Sequence, residues 1–324
     1  MTSAVIVGAG AIGSWLADAL IRADWSVSMV ARGETLAALK RAGLTLIDGK
    51  DQRTSRPRCG APSELGAHDY VLLAVKAHEL PALAPALLPL IGAGSTVVSA
   101  TNGIPWWFFE AFGGALGNCE LASVDPDGVQ ARVFGKGAGL GAVVHATARV
   151  ISAGRVEVKA ADRLILGEPD GRMTERLQNL AAAFKAGGIR AVASQHIRAE
   201  VWSKLLGNMC INPVSALTRG TTQRLFQSNE VRRVLEDMMQ EMQAIGAKLG
   251  LDMPMSPAER IEVAERLGDF KTSMLIDVEA GRTLELAPQL GALVEIADAL
   301  NLDVPKMRTV LALASLLSLH QGTV

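Results

Sequence analysis

Ala4-Val5-Ile6-Val7-Gly8-Ala9-Gly10-Ala11-Ile12-Gly13 passes from an apolar run straight into three glycines spaced as Gly-x-Gly-x-x-Gly. The apolar run predicts a buried strand, and the alanine- and leucine-rich residues 11–23 predict the helix after it. Each glycine then has a physical task. Gly8 permits the tight turn, Gly10 lets the backbone approach a pyrophosphate, and Gly13 lets helix and strand pack closely. The helix start adds unpaired N–H groups and the positive end of its dipole. Gly8, Ala9, Gly10, Ala11, Ile12 and Gly13 are therefore the expected phosphate cradle of a dinucleotide.

Outward from this turn, β-branched runs alternate with helical patterns, as in parallel βαβ units. Strands are expected at 26–30, 70–75 and 96–100, and a helix at 35–42. The Pro/Ala/Leu-rich residues 79–90 predict a short helix kinked or capped by its prolines. Further strands are expected at 141–150, 155–159, 163–166 and 190–193, with a helix at 174–187. Beyond residue 196 strand patterns stop. Helical spacing predicts helices over 197–218, 229–249, 258–267, 272–280, 290–300 and 306–319. Ser228 and Ser256-Pro257 read as helix starts, and Gly250 and Gly268 as stops. The expected fold is α/β plus all-α. A Rossmann-type doubly wound sheet over residues 1–193 binds the dinucleotide, and a helical domain over 194–324 carries substrate and catalysis.

Composition narrows the function. With 49% hydrophobic residues the 324-residue chain can bury a sizeable core. Lys+Arg 32 against Asp+Glu 33 leaves a net charge of −1, which argues against a nucleic-acid partner. Cys59, Cys119 and Cys210 are odd in number and widely spaced, so a reducing compartment is expected and a disulfide framework is not. The five histidines show no helical zinc spacing, so no metal is expected. The early apolar stretch lacks the basic segment of a secretory leader, and the apolar residues 310–319 are too few to span a bilayer. A cytoplasmic protein without a membrane partner is the expectation.

Several residues stand where chemistry would need them. An NAD site usually ends its second strand in Asp or Glu, whereas here Val30-Ala31 runs into Arg32, a cation suited to a 2′-phosphate. NADP(H) is thus the expected cofactor, although Glu34 follows closely. Lys76 and Asn102 fall just past two further strands, where ligands of open parallel sheets bind. Lys204, Asn208 and Asn212 lie along one stripe of an otherwise apolar helix. That stripe reads equally well as a solvent face or as the lining of an interdomain cleft.

These residues resemble the ketopantoate reductase (2-dehydropantoate 2-reductase) family over nearly the whole chain. The likeness runs through GAGAIG, VARGETLAALKRAGL, VKAHEL, TNG and LILGEPDG. Its most specific part is WSKLLGNMCINPVSAL (Trp202–Leu217), similar to the family's Trp-x-Lys-Leu-x-x-Asn-x-x-x-Asn-Pro helix. TSMLIDVEAGRTLEL (Thr272–Leu286) is similar to a second signature. The resemblance implies a fold like 6-phosphogluconate dehydrogenase and an NADPH-dependent reduction of a 2-oxo acid to a 2-hydroxy acid. Lys204 would be the proton donor, and Asn208 and Asn212 would hold substrate oxygens, with Ser273 on the carboxylate side. Asn102 would touch nicotinamide and substrate. Lys76 and Glu285 would contact the cofactor, and Arg32 its 2′-phosphate. The expected partners are a small 2-oxo acid and, left open, a second copy of the chain.

The chain also departs from the family pattern. Thr222 stands where the family has an asparagine ten residues beyond Asn212. After Glu285 the family's Ile-Asp-Tyr-Ile-Asn-Gly is replaced by Leu286-Ala287-Pro288-Gln289-Leu290-Gly291. Polar groups that would read a substrate hydroxyl are missing, so discrimination for the hydroxyl of ketopantoate is expected to be weak. Two alternatives follow: a paralogous oxidoreductase acting on another oxo or hydroxy acid, or a non-catalytic NADP(H)-sensing protein.

Overall fold

The computed structural model describes residues 1–251 and 255–321 and divides into two compact units. The first comprises residues 1–101, 105–111 and 127–197, and the second residues 102–104, 112–126 and 198–324. Two short segments of the first half thus belong to the helical unit, which a single cut at 193/194 does not foresee. Tertiary bonds hold them there. The Ile104 N–H donates to the Pro288 carbonyl at 2.8 Å, and the Glu295 carboxylate receives the Ala122 and Ser123 N–H groups at 2.7 and 2.9 Å.

The first unit contains β1 (Ser3–Val7), α1 (Ala11–Arg22), β2 (Ser26–Val30), α2 (Gly33–Ala42), β3 (Leu44–Asp48), β4 (Asp51–Ser55), β5 (Arg58–Gly60) and α3 (Pro62–Leu65). It continues with β6 (His68–Leu73), α4 (Leu80–Leu87), β7 (Ile91–Ser99), α5 (Val129–Phe134), β8 (Gly139–Ser152), β9 (Arg155–Gly167), α6 (Glu175–Ala186) and β10 (Ala191–Ala193). Its sheet runs β4-β3-β9-β8-β7-β6-β1-β2-β5, with β10 beside β9. β1 pairs in parallel with β2 and β6, and β7 with β6 and β8, which is the Rossmann-type core the sequence predicts. Ala4–Val7 is buried throughout, as the apolar run requires.

The sheet differs from expectation in several places, the short β5 beside β2 among them. The strands expected at 155–159 and 163–166 are one strand, β9, antiparallel to β8. His145 pairs with Arg163 and Ala146 with Ala161, so Asp162 bulges out of the ladder. A bulge and a turn interrupt the apolar alternation alike. The β3–β4 hairpin was not expected either. Leu44 and Leu46 face inward, while β4 is polar and sends Arg53 to the buried Asp18 of α1 at 3.1 Å. A charged edge strand of this kind resists pairing with other chains.

The second unit is built from α7 (Ile197–Thr218, whose first residue belongs to the first unit), α8 (Thr222–Gln227), α9 (Asn229–Leu249) and α10 (Pro257–Arg266). A π-helical turn (Ala287–Gly291) lies between α11 (Ser273–Glu279) and α12 (Ala292–Ala299), and α13 (Pro305–Gln321) closes the order. α7 and α9 have the expected bounds. Ser228 caps α9 by accepting the Val231 N–H, and Ser256 and Glu259 form a reciprocal capping box on α10. Gly246 brings α9 close to α7, since a Cβ there would lie 3.0 Å from the Trp202 indole nitrogen. Among the described residues no helix is long and apolar enough to cross a membrane, and no cluster of His, Cys, Asp or Glu could hold a metal.

Candidate functional site

Within the first unit, the turn from β1 to α1 is dictated by its glycines. Gly8 holds φ +107°, and a Cβ there would lie 2.8 Å from the Ala74 carbonyl oxygen. A Cβ on Gly13 would collide with the carbonyl oxygen of Gly8. Gly10 is different: it is exposed and extended, and a Cβ there would meet nothing within 4 Å. Its open side adjoins the free N–H groups of the first turn of α1, a turn with no acidic residue. Ala9, Ala11 and Ile12 are partly buried around it. These residues fit a pyrophosphate.

Arg32 follows β2 directly as the N-cap of α2 and is exposed, as is Glu34 in the first turn. Lys76 follows β6 and is half-buried. Since β2 and β6 flank β1 in parallel, Gly8, Arg32 and Lys76 all come after carboxyl ends on the same edge of the sheet. Ligands of open parallel sheets bind at that edge.

Within the second unit, Lys204 on α7 donates from Nζ to Asn102 Oδ1 at 2.8 Å. Trp202, Leu205, Leu206 and Met209 are buried on the same helix. Burial pulls the Lys204 ammonium down to about 8, against a smaller upward pull from the Glu285 carboxylate. Glu285 is itself buried just before the π-helical turn. Asn208 is half-buried one helical turn past Lys204, and Asn212 is buried one turn further. The backbone just after Asn102 is constrained at Gly103. Gly103 holds φ +88°, and a Cβ there would run into the Pro288 carbonyl oxygen. Of the sequence-predicted residues, Lys204 is thus hydrogen-bonded to Asn102 and feels the charge of Glu285.

Other expectations find less company. Ser273 is exposed at the first turn of α11, whose N-cap Thr272 is buried and accepts the Leu275 N–H. Thr222 is fully buried; its hydroxyl bonds to the Gly268 and Phe270 carbonyls and receives the Phe270 N–H at 3.1 Å. That threonine ties α8 to the loop before α11. Sequence reasoning missed the part played by Pro288 and Gln289, whose backbone and side chain pack on Gly103. The only signal was the mismatch with the family pattern at 286–291.

Comparison with known proteins places the chain in a family. Residues 4–171 match the family model for ketopantoate reductase PanE/ApbA, and residues 196–318 match the model for its C-terminal domain. The 2-dehydropantoate 2-reductase of Mesorhizobium japonicum is 39% identical over 319 residues, covering 98% of both chains. A crystal structure of a putative ketopantoate reductase from Ralstonia solanacearum MolK2 superposes with a TM-score of 0.94 at 38% identity, covering 100% of each chain. D-mandelate dehydrogenase, solved with NADH and anilino(oxo)acetate, shares the fold with a TM-score of 0.85 at 17% identity, covering 99% of this chain and 100% of that one. This chain belongs to the ketopantoate reductase family.

Proposed function

We propose that the protein is an oxidoreductase that reduces ketopantoate to pantoate with NADPH, Lys204 being the proton donor. The observation that carries this reading is the 2.8 Å hydrogen bond from Lys204 to Asn102, made by an ammonium that burial has brought down to about 8. The kinship with a 39% identical 2-dehydropantoate 2-reductase supports the substrate, and the exposed Arg32 after β2 supports the 2′-phosphorylated cofactor. The Gly8–Gly13 turn would hold the pyrophosphate, with Arg32 on the 2′-phosphate and Lys76 and Glu285 as further cofactor contacts. When bound, the dinucleotide supplies the hydride for the carbonyl carbon of the oxo acid.

Lys204 does the rest of the chemistry. One of its three N–H bonds is held by Asn102, which fixes Nζ and leaves the others for the substrate carbonyl oxygen. As negative charge grows on that oxygen, the ammonium stabilises it and then transfers a proton to it. The neutral amine left behind regains a proton from water. A value near 8 suits both halves of this cycle, because the group is charged at neutral pH yet yields its proton readily. Asn208, Asn212 and Ser273 would orient the acid's remaining oxygens. In this division of labour residues 1–193 serve chiefly the cofactor and 194–324 chiefly the substrate, with Asn102 and Glu285 as the exceptions.

The buried Leu286 and Leu290 favour a second reading, in which a more apolar 2-oxo acid is the better substrate. Steady-state oxidation of NADPH and NADH with ketopantoate and a panel of less polar 2-oxo acids tests both. Absence of turnover with every 2-oxo acid, together with tight NADPH binding, would instead establish a cofactor sensor.

A further inference from the structure

Gln289 sits in the π-helical turn, only 1% exposed, and its Oε1 has no hydrogen-bond donor among the described residues. A buried acceptor left unpaired in this way is costly to keep and rare in native proteins. Its neighbours tie it to the proton donor. Gln289 Cγ lies 3.1 Å from where a Cβ on Gly103 would stand, and the preceding Pro288 carbonyl accepts the Ile104 N–H at 2.8 Å. The residue before Gly103 is Asn102, which takes the Lys204 N–H at 2.8 Å. A continuous set of contacts therefore runs from Gln289 through Gly103 and Asn102 to Lys204. An amide this deeply buried makes stronger hydrogen bonds than one in water.

We infer that Gln289 determines specificity by receiving a hydroxyl group of the substrate, standing in for the polar groups this chain lacks at 286–290. This rests on the reading of the chain as a 2-oxo-acid reductase. A hydroxyl both donates and accepts, so it matches a carboxamide at either of its ends. The acid that fits carries a hydroxyl beyond its 2-oxo group, as ketopantoate does. The weak hydroxyl discrimination expected from the family comparison is thereby replaced by a strong one.

The test compares ketopantoate with trimethylpyruvate, the same acid lacking only the hydroxyl, in the full-length enzyme with NADPH. The unmutated enzyme is expected to favour ketopantoate in kcat/KM by about tenfold or more, since a site built to bond a hydroxyl rejects the analogue without it. Gln289→Leu and Gln289→Met, which keep the volume and remove the amide, are expected to bring that ratio towards one, chiefly through the KM for ketopantoate. The ratio is taken within one preparation, so partial loss of folded enzyme cancels. An unmutated ratio near one, or a ratio unchanged in both variants, overturns the inference and leaves the reductase reading intact. If the unmutated enzyme turns over neither acid, both fall together.

Discussion

Two opposed influences meet on the Lys204 ammonium: burial lowers its proton affinity, and Glu285 partly restores it. As the proposed proton donor it must be charged, so kcat/KM for the oxo acid is expected to fall as pH rises through about 8. The reverse oxidation, which needs the neutral amine, is expected to rise over the same interval. Replacing Glu285 by Gln removes the upward pull, so the descending limb for reduction should move to lower pH. A pH–rate profile of both proteins checks this, and a limb that stays put or moves upward contradicts the assignment. Lys204→Ala is expected to abolish reduction while NADPH binding, followed by cofactor fluorescence, stays nearly intact, because the lysine acts on the transition state. Lys204 was legible from sequence as part of a polar stripe, and so was Asn102 as the end of a strand. Their pairing was not, because the contact spans 102 positions and depends on where the backbone carries Gly103.

Among the elements, the β1–α1 turn was the most legible, since Gly8 and Gly13 meet separate steric demands that a side chain would violate, while Gly10 leaves an open side. The β3–β4 hairpin was legible in principle through Asp48-Gly49 after the alternating Leu44 and Leu46, but the polarity of β4 masks it as a loop. α8 escaped because six residues give too little periodicity to register. Its first residue, Thr222, shows how an element can change the meaning of a family position. Here its hydroxyl serves the backbone of Gly268 and Phe270. Thr222→Val, which keeps the shape, is therefore expected to destabilise the fold by about 1–3 kcal/mol through the unpaired buried groups it leaves. Thermal or urea unfolding measures the loss, and kcat for the folded fraction should not change. A fall in kcat at unaltered stability would mean that Thr222 touches the substrate after all.

At the scale of the whole molecule, charge sets no preference between cofactors. A net charge of −1 gives no general attraction for the extra phosphate that distinguishes NADPH from NADH. Any preference must come from a local cation, and Arg32 is exposed at the strand end where that phosphate would lie. Its guanidinium can bond phosphate oxygens in pairs, and such charge-assisted bonds contribute about 1–3 kcal/mol. NADPH should accordingly bind more tightly than NADH. At equal concentration it should also raise the melting temperature further, because ligand stabilisation grows with the ratio of concentration to Kd. Arg32→Ala is expected to erode the preference by that same amount of about 1–3 kcal/mol, mostly through weaker NADPH binding. Calorimetric titration of both proteins with both cofactors supplies the four affinities needed. Equal affinities in the unmutated protein would contradict the role given to Arg32.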